Sequence, residues 1–102
     1  MNIQYTGHNL DVTQALKDFT NEKMKKLDRI ADNATSTQVT FEVDKHRQIA
    51  KATINLPGTE IHAEAESENM YKTVDALIDN LTRQIKKHKG KNLSRREIKE
   101  DN

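Results

Sequence analysis

The chain has 102 residues and a formal net charge of +1, with 33% hydrophobic and 32% charged residues. This length suits one domain with a modest core and excludes two such domains. It contains no cysteine, which excludes disulfides and zinc–thiolate sites and fits a reducing compartment. No segment has the pattern of a signal peptide or a membrane span, so we expect a cytoplasmic protein without membrane contact.

The first third of the sequence predicts a strand followed by a helix. Residues 2–8 can form the strand, and residues 13–31 the helix. The helix can begin with Thr13 as its N-cap, or with Asp11 and Gln14 as a capping box. Its predicted apolar stripe consists of residues at helical spacing, namely Val12, Leu16, Phe19, Leu27 and Ile30. Met24 is predicted to lie at the margin of this stripe.

Three further strands are predicted from runs in which apolar and polar residues alternate. The apolar positions are Val39, Phe41 and Val43 in the first run, Ala50, Ala52, Ile54 and Leu56 in the second, and Ile61, Ala63 and Ala65 in the third. A turn at Pro57 and Gly58 separates the last two runs. The pattern predicts an antiparallel meander with one face covered and the other open to water.

A second helix is predicted after the strands, capped by Ser67 and ending at Gly90. Its apolar stripe consists of Met70, Val74, Leu77, Ile78, Leu81 and Ile85. Residues 92–102 contain too few apolar residues to pack, so we predict one domain over residues 1–91 and a short disordered tail.

The predicted element order is β-α-β-β-β-α. One amphipathic sheet and two amphipathic helices bury one another most simply as an α+β two-layer sandwich, with a four-stranded sheet and both helices packed on one face. The α-β-β-β-α portion has the element order of double-stranded-RNA-binding domains, which recognise shape and phosphates.

Residues that could carry catalysis are scattered. The four histidines lie in four predicted elements without metal-ligand spacing: His8, His46, His62 and His88. The three glycines are isolated, which excludes a glycine-rich phosphate loop. We therefore expect neither an enzyme nor a metal or cofactor site.

Two charged surfaces are the remaining candidates for function. One is an acidic row on the exposed sheet face, formed by Glu60, Glu64 and Glu66, which is either a solvated face or the contact of a regulatory protein-interaction module. The other is basic, because residues 83–96 carry seven basic side chains and no acidic one: Arg83, Lys86, Lys87, Lys89, Lys91, Arg95 and Arg96. The helix dipole accounts for one or two of these cations, whereas phosphate binding accounts for the cluster.

The first helix repeats this basic pattern with Lys17, Lys23, Lys25, Lys26 and Arg29. At about 100° per residue, Lys23 falls in the middle of the predicted apolar stripe. Its ammonium must therefore extend past covered apolar surface, either as a structural lysine or as a contact to phosphate. From the residues alone, we interpret the chain as an RNA-binding or ribosome-associated domain.

Three stretches carry a resemblance to a known family. They are "YTGHNLDVTQAL", "EKMKKL" and "GTEIHAEAESENMYKTVDALIDNLTRQIKKHKGK". In order and spacing they resemble the short hibernation-promoting factors of bacteria, which belong to the ribosome-associated inhibitor family, and the likeness covers residues 1–91. Tyr71, Asp75 and Asp79 also match the family helix, and we interpret the two aspartates as orienting neighbouring basic side chains.

The resemblance implies a factor that binds 16S rRNA of the 30S subunit or 70S ribosome in the decoding channel. It implies that mRNA and tRNA are blocked and translation is silenced in stationary phase, with ribosome modulation factor as a partner in forming 100S dimers and a monomeric free state. A related paralogue that inactivates 70S ribosomes without pairing them is the alternative. By position in the matching stretches, the resemblance implies Lys23, Lys26, Arg83, Lys87 and Lys89 as rRNA contacts. Arg29, Lys86 and Lys91 add basic charge nearby and complete the predicted rRNA-binding set.

Overall fold

A computed structural model describes the backbone of residues 2–101 and the side chains of residues 2–88. In chain order the elements are β1 (Ile3–His8), α1 (Gln14–Met24), a 3₁₀ turn (Lys25–Leu27), β2 (Ser36–Asp44), β3 (Arg47–Leu56), β4 (Thr59–Ser67) and α2 (Met70–Asp101). The predicted β-α-β-β-β-α order is confirmed.

The four strands form one mixed sheet in the order β1-β2-β3-β4. The three later strands are antiparallel neighbours, as predicted, and β1 pairs with β2 in parallel because α1 forms the crossover between them. Between β3 and β4, Pro57 precedes Gly58, whose φ of 83° is the left-handed conformation that a type II turn requires.

The core lies between the inner sheet face and the two helices. Inward residues of β2, β3 and β4 join the apolar stripe of α2 and the buried residues of α1 in one cluster. Its largest fully buried side chains include Phe41, Met24, Leu27, Ile54 and Leu77. Both helices therefore pack on one sheet face and leave the other face to solvent, as the alternating patterns predict.

The first helix is shorter than predicted. Thr13 is its N-cap, since the Leu16 amide donates to Thr13 Oγ1 at 3.1 Å. The α-helix ends at Met24 rather than at position 31, because the chain tightens there into the 3₁₀ turn, where the amide of Asp28 bonds to the carbonyl of Lys25 at 3.1 Å.

The buried face of α1 is also rotated from the prediction. Met24 is 1% exposed and central, so its placement at the margin is wrong. Thr20 is fully buried as well, because its hydroxyl donates to the Leu16 carbonyl at 2.8 Å and needs no other partner. Reading apolar residues alone missed Thr20 and shifted the predicted stripe toward Lys23, which lies at the flank with 30% of its side chain exposed.

The second helix continues past its predicted end. Its backbone is helical through Gly90 to Asp101. Glycine in a helix costs about 1 kcal/mol, which the lysine, leucine, arginine and glutamate residues that follow can offset because they favour helix. Side chains from position 89 onward lie outside the described residues, so the division into a domain over residues 1–91 and a tail over residues 92–102 stays a prediction.

Tyr5 ties β1 to α1. Its hydroxyl donates to Asn21 Oδ1 at 2.5 Å, and its ring stacks on Phe41 with the centroids 6.0 Å apart. Burial raises the pKa of Tyr5 to about 12, and the nearby Asp18 carboxylate adds to the rise.

This pKa predicts a loss of stability in alkali. The phenol of Tyr5 loses its proton near pH 10 in the unfolded chain, whereas in the folded chain it keeps the proton until about pH 12. Its contribution to the free energy of unfolding is therefore complete below pH 10 and is lost as the pH rises through 12. At pH 11 we expect a loss of about 1 kcal/mol, allowing for solvent screening of a partly exposed group. Urea unfolding at pH 8 and 11 should show this loss in the wild type and a smaller one in Tyr5→Phe; equal losses would contradict the assignment.

Candidate nucleic-acid interface

The start of α2 is fixed by Asn69. Its Oδ1 accepts from the amides of Tyr71 and Lys72, at 2.8 and 3.1 Å. The predicted cap, Ser67, is therefore wrong by two residues; its hydroxyl instead accepts from the Asn69 amide at 3.1 Å. Both residue types cap helices well, so the sequence offered no means of choosing between them.

Polar side chains then fix the rotation of α2 against the sheet. Thr73 is fully buried and its hydroxyl lies 2.8 Å from the Gln48 carbonyl on β3. Further along the helix, Asn80 and Gln84 donate to backbone carbonyls of β4, at 3.2 and 2.6 Å. These contacts occupy carbonyls along an edge strand and hold one side of α2 down, which leaves the opposite side facing α1 and solvent.

A groove of about 490 Å³ lies between α2 and the turn region that follows α1. It brings together three of the cations predicted from the sequence with two polar and two apolar side chains: Lys26, Arg29 and Lys86, then Asp79 and Thr82, then Ile30 and Ile78. We call this set the helix groove. The sequence identified its cations but not that they share one concavity, because their relative position depends on how α1 ends.

Five of the predicted cations have no acidic partner within residues 2–88. No carboxylate in that range lies within 4.0 Å of the charged groups of Lys26, Arg29, Arg83, Lys86 or Lys87, and all five residues are exposed. At about 100° per residue, Arg83 and Lys87 lie further round α2 than the helix groove. The helix side of the molecule therefore carries positive charge that its own described carboxylates do not pair.

Lys23 is placed differently from these five. Its Nζ lies 3.3 Å from Asp75 Oδ1 and 5.2 Å from the centre of the Phe19 ring. Phe19 in turn meets Tyr71 edge to face, with ring centroids 4.8 Å apart and an interplanar angle of 83°. We call these four residues the aromatic clamp. Within it Lys23 extends out of half-covered surface and is already engaged by a carboxylate and a ring.

The remaining two predicted contacts, Lys89 and Lys91, lie outside the residues whose side chains are described. Lys89 stays a prediction from the family resemblance, and Lys91 one from the basic cluster.

The outer sheet face carries most of its charge in pairs. Glu60 lies 3.1 Å from His62 Nε2, and Glu66 lies 2.7 Å from Arg47. A hydrogen bond from the Arg47 guanidinium lowers the pKa of the Glu66 carboxyl. Of the acidic row predicted on this face, Glu66 is paired with a guanidinium and Glu60 lies against an imidazole, whereas Glu64 has no cation within 4.0 Å among residues 2–88.

Other kinds of site find little support in the part of the chain that the structure describes. There, no three histidine or acidic side chains come together in a way that could hold a metal ion. None of the helical segments described combines the length and apolar character needed to cross a bilayer.

Residues 3–93 match the family described as Sigma 54 modulation protein / S30EA ribosomal protein. The chain belongs to this family. Among S30EA relatives, the "Ribosome hibernation promoting factor" of Azotobacter vinelandii is 44% identical over 97 residues, which are 95% of this chain and 91% of the relative. The resemblance drawn from the three sequence stretches is thereby confirmed.

Solved structures of similar proteins share this fold. A ribosomal subunit interface protein from Coxiella burnetii superposes with a TM-score of 0.85 at 38% identity, covering 88% of this chain and 99% of the other. The N-terminal domain of Thermus thermophilus Protein Y superposes with a TM-score of 0.77 at 29% identity, covering 86% and 99%. This chain therefore shares its overall architecture with both of these proteins.

Proposed function

We propose that this S30EA protein binds the small ribosomal subunit through 16S rRNA and silences translation. The observation that carries the proposal is a set of five exposed cations on the helix side that have no acidic partner within residues 2–88, three of which share the helix groove. The names of its relatives, a ribosome hibernation promoting factor and a ribosomal subunit interface protein, support the choice of partner.

In this mechanism the protein acts by occupying a site on the ribosome and catalyses no reaction. A rigid two-layer domain presents Lys26, Arg29, Lys86 and the outward Arg83 and Lys87 to rRNA phosphates, while the matched charges of the sheet face give that side no comparable attraction. Each phosphate neutralised releases counterions, so affinity falls steeply with salt, with a logarithmic slope of about −0.7 to −0.9 per contact. Bound in the decoding channel, the domain would exclude mRNA and tRNA sterically.

Hibernation would place the protein in the cytoplasm, acting on 30S subunits or 70S ribosomes in stationary phase. Ribosome modulation factor is the proposed partner for pairing ribosomes into 100S particles. Binding to 70S ribosomes without pairing is the alternative within the family. The protein-interaction interpretation of the acidic row is weaker, because Glu66 is already paired with Arg47 and Glu60 already lies 3.1 Å from His62 Nε2. This leaves Glu64 as the one member of the row without such a contact among residues 2–88.

Sedimentation tests this proposal. Purified 70S ribosomes are run on sucrose gradients with and without the protein, at two salt concentrations, and again with ribosome modulation factor. We expect co-sedimentation that weakens with salt and a shift to 100S only when the second factor is present. Binding without that shift would favour the inactivating alternative, and a protein that stays at the top of the gradient at low salt would refute the proposal.

Asp79 gives a sharper prediction within the helix groove. It is exposed and lies among three cations, with none of the described cations within 4.0 Å of its carboxylate. Removing its charge should lower repulsion toward phosphate, so Asp79→Asn should bind 30S subunits about two- to threefold more tightly at low salt and equally at high salt. Weaker binding by Asp79→Asn would instead mean that the carboxylate orients the neighbouring cations, as the sequence suggested.

A further inference from the structure

Tyr71 is an exception among the large apolar side chains. Of those that the structure describes, it is the one that is exposed, at 43%. Its ring is nevertheless held on one side, because the Phe19 ring meets it edge to face with the two centroids 4.8 Å apart. An open aromatic ring held in this way is a surface on which a planar group can stack at little cost in conformational entropy.

The aromatic clamp and the helix groove lie on one line. Successive members of this line are four or seven residues apart along α2, so they share the side of the helix that faces α1. They are Tyr71, Asp75, Thr82 and Lys86. From Tyr71 to Lys86 this line is about 22 Å long, at 1.5 Å per residue. One end is aromatic, and the other carries the three groove cations.

We propose that this line is a binding site for single-stranded RNA, whose backbone follows the groove cations and one of whose bases stacks on Tyr71. The inference rests on the proposed ribosome-binding function and specifies the chemistry that the helix side recognises. Cations alone would suit duplex and single strand alike. An exposed ring favours the single strand, because its bases are free to leave the stack whereas those of a duplex are not.

The Lys23–Asp75 pair is consistent with base stacking at one end of the line and phosphate contact at the other. It belongs to the aromatic clamp, with Lys23 Nζ 3.3 Å from Asp75 Oδ1 and 5.2 Å from the centre of the Phe19 ring. The pair joins α1 to α2 and adds no net charge at the aromatic end. Stacking at one end and phosphate contact at the other would therefore be separable by mutation.

Binding of short RNAs to the full-length protein tests the inference. Fluorescence anisotropy is measured with a labelled single-stranded octamer, with the same octamer carrying abasic sites, and with an RNA duplex of equal length. We expect Tyr71→Leu to lower affinity for the octamer on the order of tenfold, Tyr71→Phe to retain it, and the abasic octamer to be insensitive to either change. Thermal unfolding of each variant shows whether the fold is retained.

Tyrosine emission gives a second readout. The chain contains two tyrosines and no tryptophan. A base stacked on Tyr71 should quench part of the emission on titration with octamer, and Tyr71→Phe, in which Tyr5 remains, should remove that quenching without loss of affinity.

The outcomes separate this inference from the proposed function. If the protein co-sediments with 30S subunits but Tyr71→Leu binds the octamer like the wild type, or the duplex binds as tightly as the octamer, the stacking site is refuted and ribosome binding stands. Failure of the wild type to bind the octamer at low salt also refutes the inference. Octamer binding that depends on Tyr71, without any ribosome binding, would leave the RNA site and refute the ribosomal proposal.

Discussion

Replacing Lys26 and Lys86 together with glutamate is expected to lower affinity for the 30S subunit on the order of a hundredfold. Both residues line the helix groove from opposite elements, and neither has a carboxylate partner within residues 2–88. The double change removes two phosphate contacts and adds two repulsive charges at the same place. The negative slope of log affinity against log salt should therefore become shallower, with its magnitude smaller by about two. Equilibrium co-sedimentation across a salt series measures both quantities.

A loss of binding is informative only if the fold persists. Both side chains are exposed and unpaired in the described part of the chain, so we expect stability within about 0.5 kcal/mol of the wild type. Net charge needs its own control, because any added negative charge weakens attraction to RNA. We therefore compare two double variants that change net charge equally. One is Lys26→Gln/Lys86→Gln in the helix groove, and the other is Lys45→Gln/Lys51→Gln at the β2–β3 turn and the outer sheet face.

The two pairs should differ clearly. The double variant in the groove is expected to lose about tenfold or more in affinity for the 30S subunit. The double variant at Lys45 and Lys51 should lose no more than about twofold, because neither residue lines the helix groove. Its fold should persist, because the one ion pair described for these two lysines is an exposed contact of 3.8 Å between Lys51 and Glu42. Equal losses in the two pairs would mean that binding responds to total charge and that the helix groove has no particular role.

The strands were predictable from sequence because their side-chain period is two. A shift of one residue would move every apolar residue of a strand to the wet face, so the alternation that places Val39 and Phe41 inward leaves one arrangement. The turn at Pro57 and Gly58 follows from backbone chemistry alone. Together they predict the sheet and, with two amphipathic helices, the whole two-layer fold.

The helices were less predictable because their faces depend on tertiary contacts. Thr20 occupies a core position by bonding to its own helix, which an apolar pattern cannot reveal. The end of α1 at Met24 then sets where Lys26 and Arg29 lie, and hence which cations share the helix groove. The sequence thus identified the basic residues. Only the packed structure separates Lys23, which is paired with Asp75, from the groove cations, which have no acidic partner among residues 2–88.

The other large effect is expected in the core, from Phe41→Ala. Phe41 is fully buried at the centre of β2 and stacks on Tyr5, so the change removes a large apolar side chain and leaves a cavity between sheet and helices. Such substitutions cost about 3–5 kcal/mol. A chain of 102 residues has roughly 5–15 kcal/mol in total, so Phe41→Ala should unfold at far lower urea or be largely unfolded at 37 °C.

Phe41→Leu is the matched control, because it keeps most of the buried volume and should lose clearly less stability than Phe41→Ala. Urea unfolding followed by circular dichroism measures both variants, and similar midpoints for Phe41→Ala and the wild type would contradict the core assignment.

Comparing Phe41→Ala with the double variant Lys26→Glu/Lys86→Glu also distinguishes folding from recognition. If the groove cations and not the core contact rRNA, Phe41→Ala weakens ribosome binding only by the fraction of protein that is unfolded. Its binding should therefore recover on cooling toward 15 °C, where more of the chain folds, and its salt slope should equal that of the wild type. Lys26→Glu with Lys86→Glu should show the reverse behaviour, with a reduced salt slope, unchanged unfolding and no recovery on cooling.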